Sequence, residues 1–233
     1  MEPKVLTIEY AFDFVCPWSY IFKKRLMRAV RVAQSVRKDV EFNIIWRPFI
    51  LHPNMLNQTK QTLVQGLVES KGPAKANKIL EGLKDAAAAE GLPIHFNGPV
   101  GSTGIAHTLV AVAAEFGKSE EMIDRLFHAY FVEQRDIASY TTLYPIFDEF
   151  DFDRKWLKEQ EYGLKLKPVV KNLIEENTNI GITGTPFVIF NKTFGLAGAH
   201  PVEKLMFIMD SLLNNEQPSG LTLMMFQPSS IEE

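Results

Sequence analysis

Cysteine is nearly absent from this chain: among 233 residues there is one, Cys16. A single thiol excludes an internal disulfide, so folding does not require oxidising conditions. The start, Met1-Glu2-Pro3-Lys4, runs into the first apolar segment without the h-region of a secretory signal, and cytoplasmic residence is the expectation. Long apolar runs are also missing, so no membrane partner is expected. Positive charge is not in excess either: 25 Lys and Arg against 28 Asp and Glu leave a formal net charge of -3. That balance argues against a nucleic-acid partner. His95, His107 and His128 share no spacing with carboxylates that would build a metal site, and no tightly bound cofactor is expected.

What is present centres on Asp13-Phe14-Val15-Cys16-Pro17-Trp18-Ser19-Tyr20. Before it, Val5 to Phe12 is short and rich in β-branched and aromatic residues, as a buried strand is. After it, Phe22, Leu26, Ala29, Val30, Ala33 and Val36 recur at helical spacing, with Lys23, Lys24, Arg25, Arg28 and Arg31 on the other faces, read as solvated. Pro17 suits the first helical position, where no backbone N–H is needed. Cys16 is therefore predicted at a helix N-terminus. Free N–H groups and the helix dipole there favour a thiolate, and cysteines so placed reach pKa values of roughly 3.5 to 7.5. The plainer alternative is an inert, buried, small hydrophobe.

Cys16-Pro17-Trp18-Ser19 resembles the redox motif of thioredoxin-fold proteins. With Asp13-Phe14-Val15 before it and Tyr20-Ile21 after it, the stretch is most similar to the DsbA-like family, particularly its FrnE-type branch. The chain departs from the pattern at Ser19, where the family places a second cysteine. A hydroxyl cannot attack a mixed disulfide and release the substrate, as that cysteine does. Ser19 is expected instead to hydrogen-bond the Cys16 sulfur or an N–H of the first helical turn.

The resemblance implies an α/β fold, a thioredoxin-like core with a large α-helical insertion. The chain is long for a bare core of roughly 100 residues. Residues 1–58 and 179–216 are assigned to the core, 59–178 to the insertion and 217–233 to a tail. Val40 to Arg47 reads as a second strand ended by Pro48, joined to the first by a parallel, right-handed crossover. Trp46-Arg47-Pro48-Phe49 is again similar to the family; Trp46 is expected in the core, and Arg47 facing either solvent or the site. Helical signals follow. Ser102-Thr103 is read as the N-cap of a helix ending near Gly117, Ser119 opens the next, and Tyr140 to Phe150, Trp156 to Gly163 and Pro168 to Asn177 read as shorter ones. The loop Ile94 to Gly101 either overhangs the sulfur or is an ordinary surface connection.

The second diagnostic stretch is Gly181 to Phe190, in which Thr185-Pro186 precedes a buried-type strand. Resemblance implies that Pro186 is the cis-proline facing the active cysteine, with the Thr185 backbone free to pair with a peptide or glutathione. A hairpin turning at Asn191-Lys192 leads to His200 and a last helix. Relatives hold the glutathione γ-glutamyl group near that helix start, whereas the residues alone are equally those of a capping loop. Leu221 to Phe226 in the tail could dock on the body or on a second subunit, so a homodimer is one expectation.

The function expected is monothiol thiol-disulfide exchange, with Cys16 and Ser19 catalytic and Pro17, Trp18, Thr185, Pro186 and His200 contacting a thiol or disulfide substrate. Glutathione is the expected cosubstrate. The alternatives are a glutathione transferase or isomerase similar to the kappa class and the hydroxychromene-carboxylate isomerases, or a peptide-binding module without catalysis.

Overall fold

A computed structural model describes residues 3–53, 61–152, 168–216, 218 and 224–225. The expected helix from Trp156 to Gly163 and most of the tail lie outside them. Strand β1 (Lys4–Phe12) is followed by helix α1 (Pro17–Val36) and by β2 (Val40–Pro48), which pairs with β1 in parallel. Helices α2 (Leu63–Lys71), α3 (Pro73–Ala89), α4 (Gly104–Ala114), α5 (Ser119–Phe131), α6 (Tyr140–Asp148) and α7 (Pro168–Asn179) then intervene. The chain returns as β3 (Phe187–Phe190), β4 (Phe194–Ala197), helix α8 (Val202–Leu213) and a two-residue strand β5 (Met224–Met225). The sheet order is β2-β1-β3-β4-β5, with β3 antiparallel to β1.

Period-two alternation explains how the sheet is covered on both faces. Ile8, Tyr10, Phe12, Val188 and Phe190 belong to one large apolar cluster that continues through α1, α3, α4, α5, α6 and α8. Their neighbours Ala11, Phe187 and Ile189 point the other way and form a smaller cluster with Ile182, flanked by Phe49 and Ile180. The hairpin between β3 and β4 turns where expected. Asn191 and Lys192 both adopt the left-handed region, at φ 48° and 55°, as a two-residue turn matched to strand twist requires. Asn191 also accepts the Thr7 N–H on its side-chain oxygen at 3.0 Å.

Two expectations about α1 and α4 need correction. Lys23 is not solvated: it is 3 % exposed, reaches Asp124 at 2.6 Å and Glu120 at 3.5 Å on α5, and lies over the Trp46 ring. Arg25 and Arg28 converge on Glu90 after α3, at 2.8 and 2.9 Å. Lys23 and Arg25 thus dock the inserted segment onto α1, with carboxylates compensating their desolvation, while Lys24, Arg28 and Arg31 are exposed as expected. Thr103 stands at the N-cap of α4, but its hydroxyl makes no cap bond. That hydroxyl is turned instead toward the buried Asp13 carboxylate, to which it donates at 2.7 Å.

Candidate active site

Cys16 is the N-cap of α1, with Pro17 in the first turn, as the sequence predicts. Tyr10 fixes this helix end from below, its hydroxyl donating to the Ser19 carbonyl at 2.7 Å. Tyr20 holds it from the side, stacked on Phe127 and Phe131 of α5 with ring centroids 4.9 and 5.7 Å away. Each such aromatic pair contributes about 0.5–1.5 kcal/mol beyond its burial. The motif therefore sits between the sheet and the inserted helices.

Opposite the sulfur lies the turn before β3. The Thr185-Pro186 peptide bond is cis, and the Cys16 thiol donates to the Thr185 carbonyl at 3.6 Å. The Pro186 carbonyl accepts from the Gly198 N–H at 2.8 Å, which brings the loop holding His200 beside the same turn. His200 Nε2 is engaged with the Ala197 carbonyl at 2.9 Å, and partial burial lowers the ring's pKa. Trp18 is 37 % exposed, while Pro17 and Ser19 are buried. The structure thus brings Cys16, Ser19 and Thr185 together. It places Trp18 at the surface beside them and His200 on the loop tied to Pro186.

The expected depressed thiol pKa is overturned. Cys16 is 8 % exposed, and burial pushes its thiol above the ordinary value. Hydrogen bonding from the side chains of Ser19 and Thr185 and from the Ser19 N–H pulls the other way, as the helix-end argument requires, but desolvation is larger. The nearby Asp13 charge adds to the upward push. Neither Ser19 Oγ nor Thr185 Oγ1 has a partner of full hydrogen-bond geometry among the described residues. Both hydroxyls are buried, and both favour a charged sulfur.

Asp13 is a site residue that sequence reasoning passed over. Wholly buried, it accepts from the Leu51 N–H at 2.7 Å, the Thr103 hydroxyl at 2.7 Å and the Val15 N–H at 3.5 Å. It thereby joins the motif, the segment after β2 and the start of α4. Burial raises its pKa to about 6 despite these donors. His107 lies nearby, its ring 4.8 Å from that of Phe14 and its Nε2 3.0 Å from the Phe49 carbonyl. Burial lowers its pKa to about 3, so the ring is neutral and donates to that carbonyl.

Arg47 faces neither solvent nor the sulfur. It is 7 % exposed and pairs with Glu9 at 2.6 Å, Glu176 at 3.0 Å and the Asn177 side-chain oxygen at 3.0 Å. Asn177 in turn donates to the Pro48 carbonyl at 2.7 Å, and its own carbonyl accepts the Ile182 N–H at 2.8 Å. This knot fastens the end of α7, from which the chain runs directly to Thr185. The loop from Ile94 to Gly101 is also pinned: His95 N–H donates to the Phe131 carbonyl at 2.7 Å and Val100 N–H to the Gln61 carbonyl at 2.8 Å. No metal-binding cluster of His, Cys, Asp and Glu occurs among the described residues.

A family profile for the DsbA-like thioredoxin domain matches residues 7–208. The chain belongs to the DsbA-like family. Within the family context, the uncharacterized protein YwbO of Bacillus subtilis (strain 168) is 27 % identical over 200 residues, covering 82 % of this chain and 91 % of YwbO. A probable DsbA oxidoreductase from Streptomyces coelicolor is similar in structure, with a TM-score of 0.80 at 25 % identity over 93 % of each chain. The cytosolic disulfide reductase DsbM from Pseudomonas aeruginosa, solved with GSH, shares the fold at a TM-score of 0.59 and 14 % identity, over 89 % of this chain and 99 % of DsbM. A 2-hydroxychromene-2-carboxylate isomerase shares it at 0.60 and 14 %, over 90 % and 95 %. This DsbA-like chain carries one of the two motif cysteines, and no helix among its described residues is long and apolar enough to cross a membrane.

Proposed function

We propose that the protein is a monothiol thiol-disulfide oxidoreductase in which Cys16 forms and exchanges mixed disulfides. The observation that carries this reading is the meeting of the Cys16 thiol with the Thr185 carbonyl at 3.6 Å. In the first step the Cys16 thiolate attacks one sulfur of a substrate disulfide; a new S–S bond forms, the old one breaks, and the departing thiolate takes a proton. Ser19 and Thr185 stabilise the thiolate by hydrogen bonding. A raised thiol pKa lowers the ionised fraction but makes each thiolate more nucleophilic and a poorer leaving group. The mixed disulfide is consequently long-lived, and an external thiol of the glutathione type resolves it.

Thr185 supplies the backbone edge for an extended substrate, Pro186 removes a competing N–H donor, and Pro17 and Trp18 form the wall beside the sulfur. His200 contacts the substrate from the adjoining loop. A cytoplasmic setting fits, because a reduced thiol pool provides the resolving partner. The test is mass spectrometry after exposure to oxidised glutathione, with Cys16→Ala as control. One glutathione adduct on Cys16, released by reduced glutathione, is expected; an unmodified wild-type chain would refute the reading.

A second reading, a glutathione transferase or isomerase, draws support from the upward shift of the Cys16 thiol. The two buried hydroxyls beside a neutral sulfur are a donor set for an incoming glutathione thiolate. Thioether or isomerised product formed by Cys16→Ser at the wild-type rate would favour it over exchange.

A further inference from the structure

The two hydroxyls beside Cys16 have more donor capacity than a reduced thiol uses. The sulfur's single proton goes to the Thr185 carbonyl. Ser19 Oγ belongs to a residue that is 0 % exposed, and it and Thr185 Oγ1 are left without a well-formed acceptor. Hydroxyls bond far more strongly to a charged oxygen than to a neutral sulfur. Three conditions that preserve a cysteine sulfenic acid also coincide here. There is no second thiol in the chain to condense with it. Cys16 is only 8 % exposed, so an oxygen added to its sulfur lies against protein atoms rather than in bulk solvent. Buried donors lie beside the sulfur to hold the added oxygen.

We propose that Cys16 is also a hydroperoxide-reducing centre, in which the Ser19 and Thr185 hydroxyls hold the oxygen of a Cys16 sulfenate. The thiolate attacks the outer oxygen of a hydroperoxide. An S–O bond forms, the O–O bond breaks, and the leaving oxygen takes a proton to give an alcohol, or water from hydrogen peroxide. Sulfur is oxidised by two electrons and the hydroperoxide reduced by two. A small thiol then attacks the Cys16 sulfur, and the sulfenate oxygen leaves as water. A second thiol attacks the resulting mixed disulfide, giving a low-molecular-weight disulfide and the original Cys16. One hydroperoxide and two thiols yield one alcohol, one disulfide and one water. The last step rests on the exchange reading above; the first does not.

The experiment treats the full chain with equimolar hydrogen peroxide, traps sulfenate with dimedone and reads Cys16 by mass spectrometry. A parallel sample receives oxidised glutathione. The wild-type chain is expected to give a persistent dimedone adduct. Ser19→Ala, which removes a buried unpartnered hydroxyl, is expected to lower the adduct yield about tenfold in favour of sulfinic acid, the effect of one hydrogen bond to a charged group. Thr185→Val, which keeps the backbone carbonyl, is expected to act in the same direction. A glutathione adduct without any dimedone adduct would overturn the inference and leave the exchange reading standing. Equal yields in the wild type and both variants would overturn the assigned role of the hydroxyls. Failure of both adducts in folded wild type would remove both proposals.

Discussion

Cys16 and Thr185, 169 positions apart in the chain, meet through a thiol-to-carbonyl hydrogen bond of 3.6 Å. One end of that bond is set by a helix N-terminus and the other by a turn leading into a strand. Its geometry therefore depends on β1, α1, α7 and β3 all being in place.

Replacing Ser19 with cysteine restores the spacing of a two-thiol motif at a wholly buried position of similar size. Ser19→Cys is expected to form an internal disulfide with Cys16 under mild oxidation. Thiol counting with Ellman's reagent should fall from two to none, and the glutathione adduct should clear without added thiol. A persistent adduct in this variant would show that the two sulfurs cannot approach.

Because burial raises the Cys16 thiol, its alkylation rate by iodoacetamide is expected to climb continuously through neutral pH rather than level off below it. Asp13→Asn removes a charge that adds to this shift, and the profile should move to lower pH. A plateau near pH 6 in the wild type would contradict the buried-thiol account.

Asp13 and His107 give opposite pH dependences of stability in an overlapping window. The Asp13 pKa rises on folding from 3.8 to about 6, so its contribution is present below the lower value and lost as pH climbs through the upper one. The His107 pKa falls from 6.5 to about 3, so its contribution is present above 6.5 and lost as pH drops toward 3. Between about pH 4 and 6 the two offset each other. Asp13→Asn should steepen the loss of stability on acidification, and His107→Gln should weaken or reverse it. Each slope change approaches about 1.4 kcal/mol per pH unit, one proton's worth, in urea titrations.

Asn177→Ala leaves the Pro48 carbonyl without its donor and an Arg47 N–H without that acceptor. A loss of about 1–3 kcal/mol per unsatisfied group is expected in chemical denaturation. The Asn177 main-chain carbonyl that holds the Ile182 N–H survives in the alanine variant, so hydrogen exchange at Ile182 should quicken only as far as the end of α7 loosens once its side-chain bonds are lost. Unchanged exchange there would show that the side-chain bonds of Asn177 do not hold the turn before β3.

The sequence made the two ends of the site legible because each is a local pattern: an apolar strand, Cys16, Pro17 and a helical stripe in one case, and glycines, Thr185-Pro186 and a buried run in the other. The helical character of the segment between β2 and β3 was equally readable from periodicity. Burial depth was not. Lys23, Arg47 and Asp13 look like ordinary polar residues until Asp124, Glu9 and Thr103 arrive from elsewhere in the chain. The same reason reverses the thiol's pKa, since a helix N-terminus is a local feature and desolvation is a tertiary one.

The rings of Tyr20, Phe127 and Phe131 form one stack that crosses from the motif helix to α5. Chemistry at the sulfur is therefore mechanically coupled to residues over a hundred positions downstream. A miniature made by joining β2 to the Thr185-Pro186 turn before β3 would retain the sulfur and the turn facing it and lose the buttress that aims them. Shortening this molecule to its strands and first helix should cost the centre its alignment before it costs the sheet its pairing.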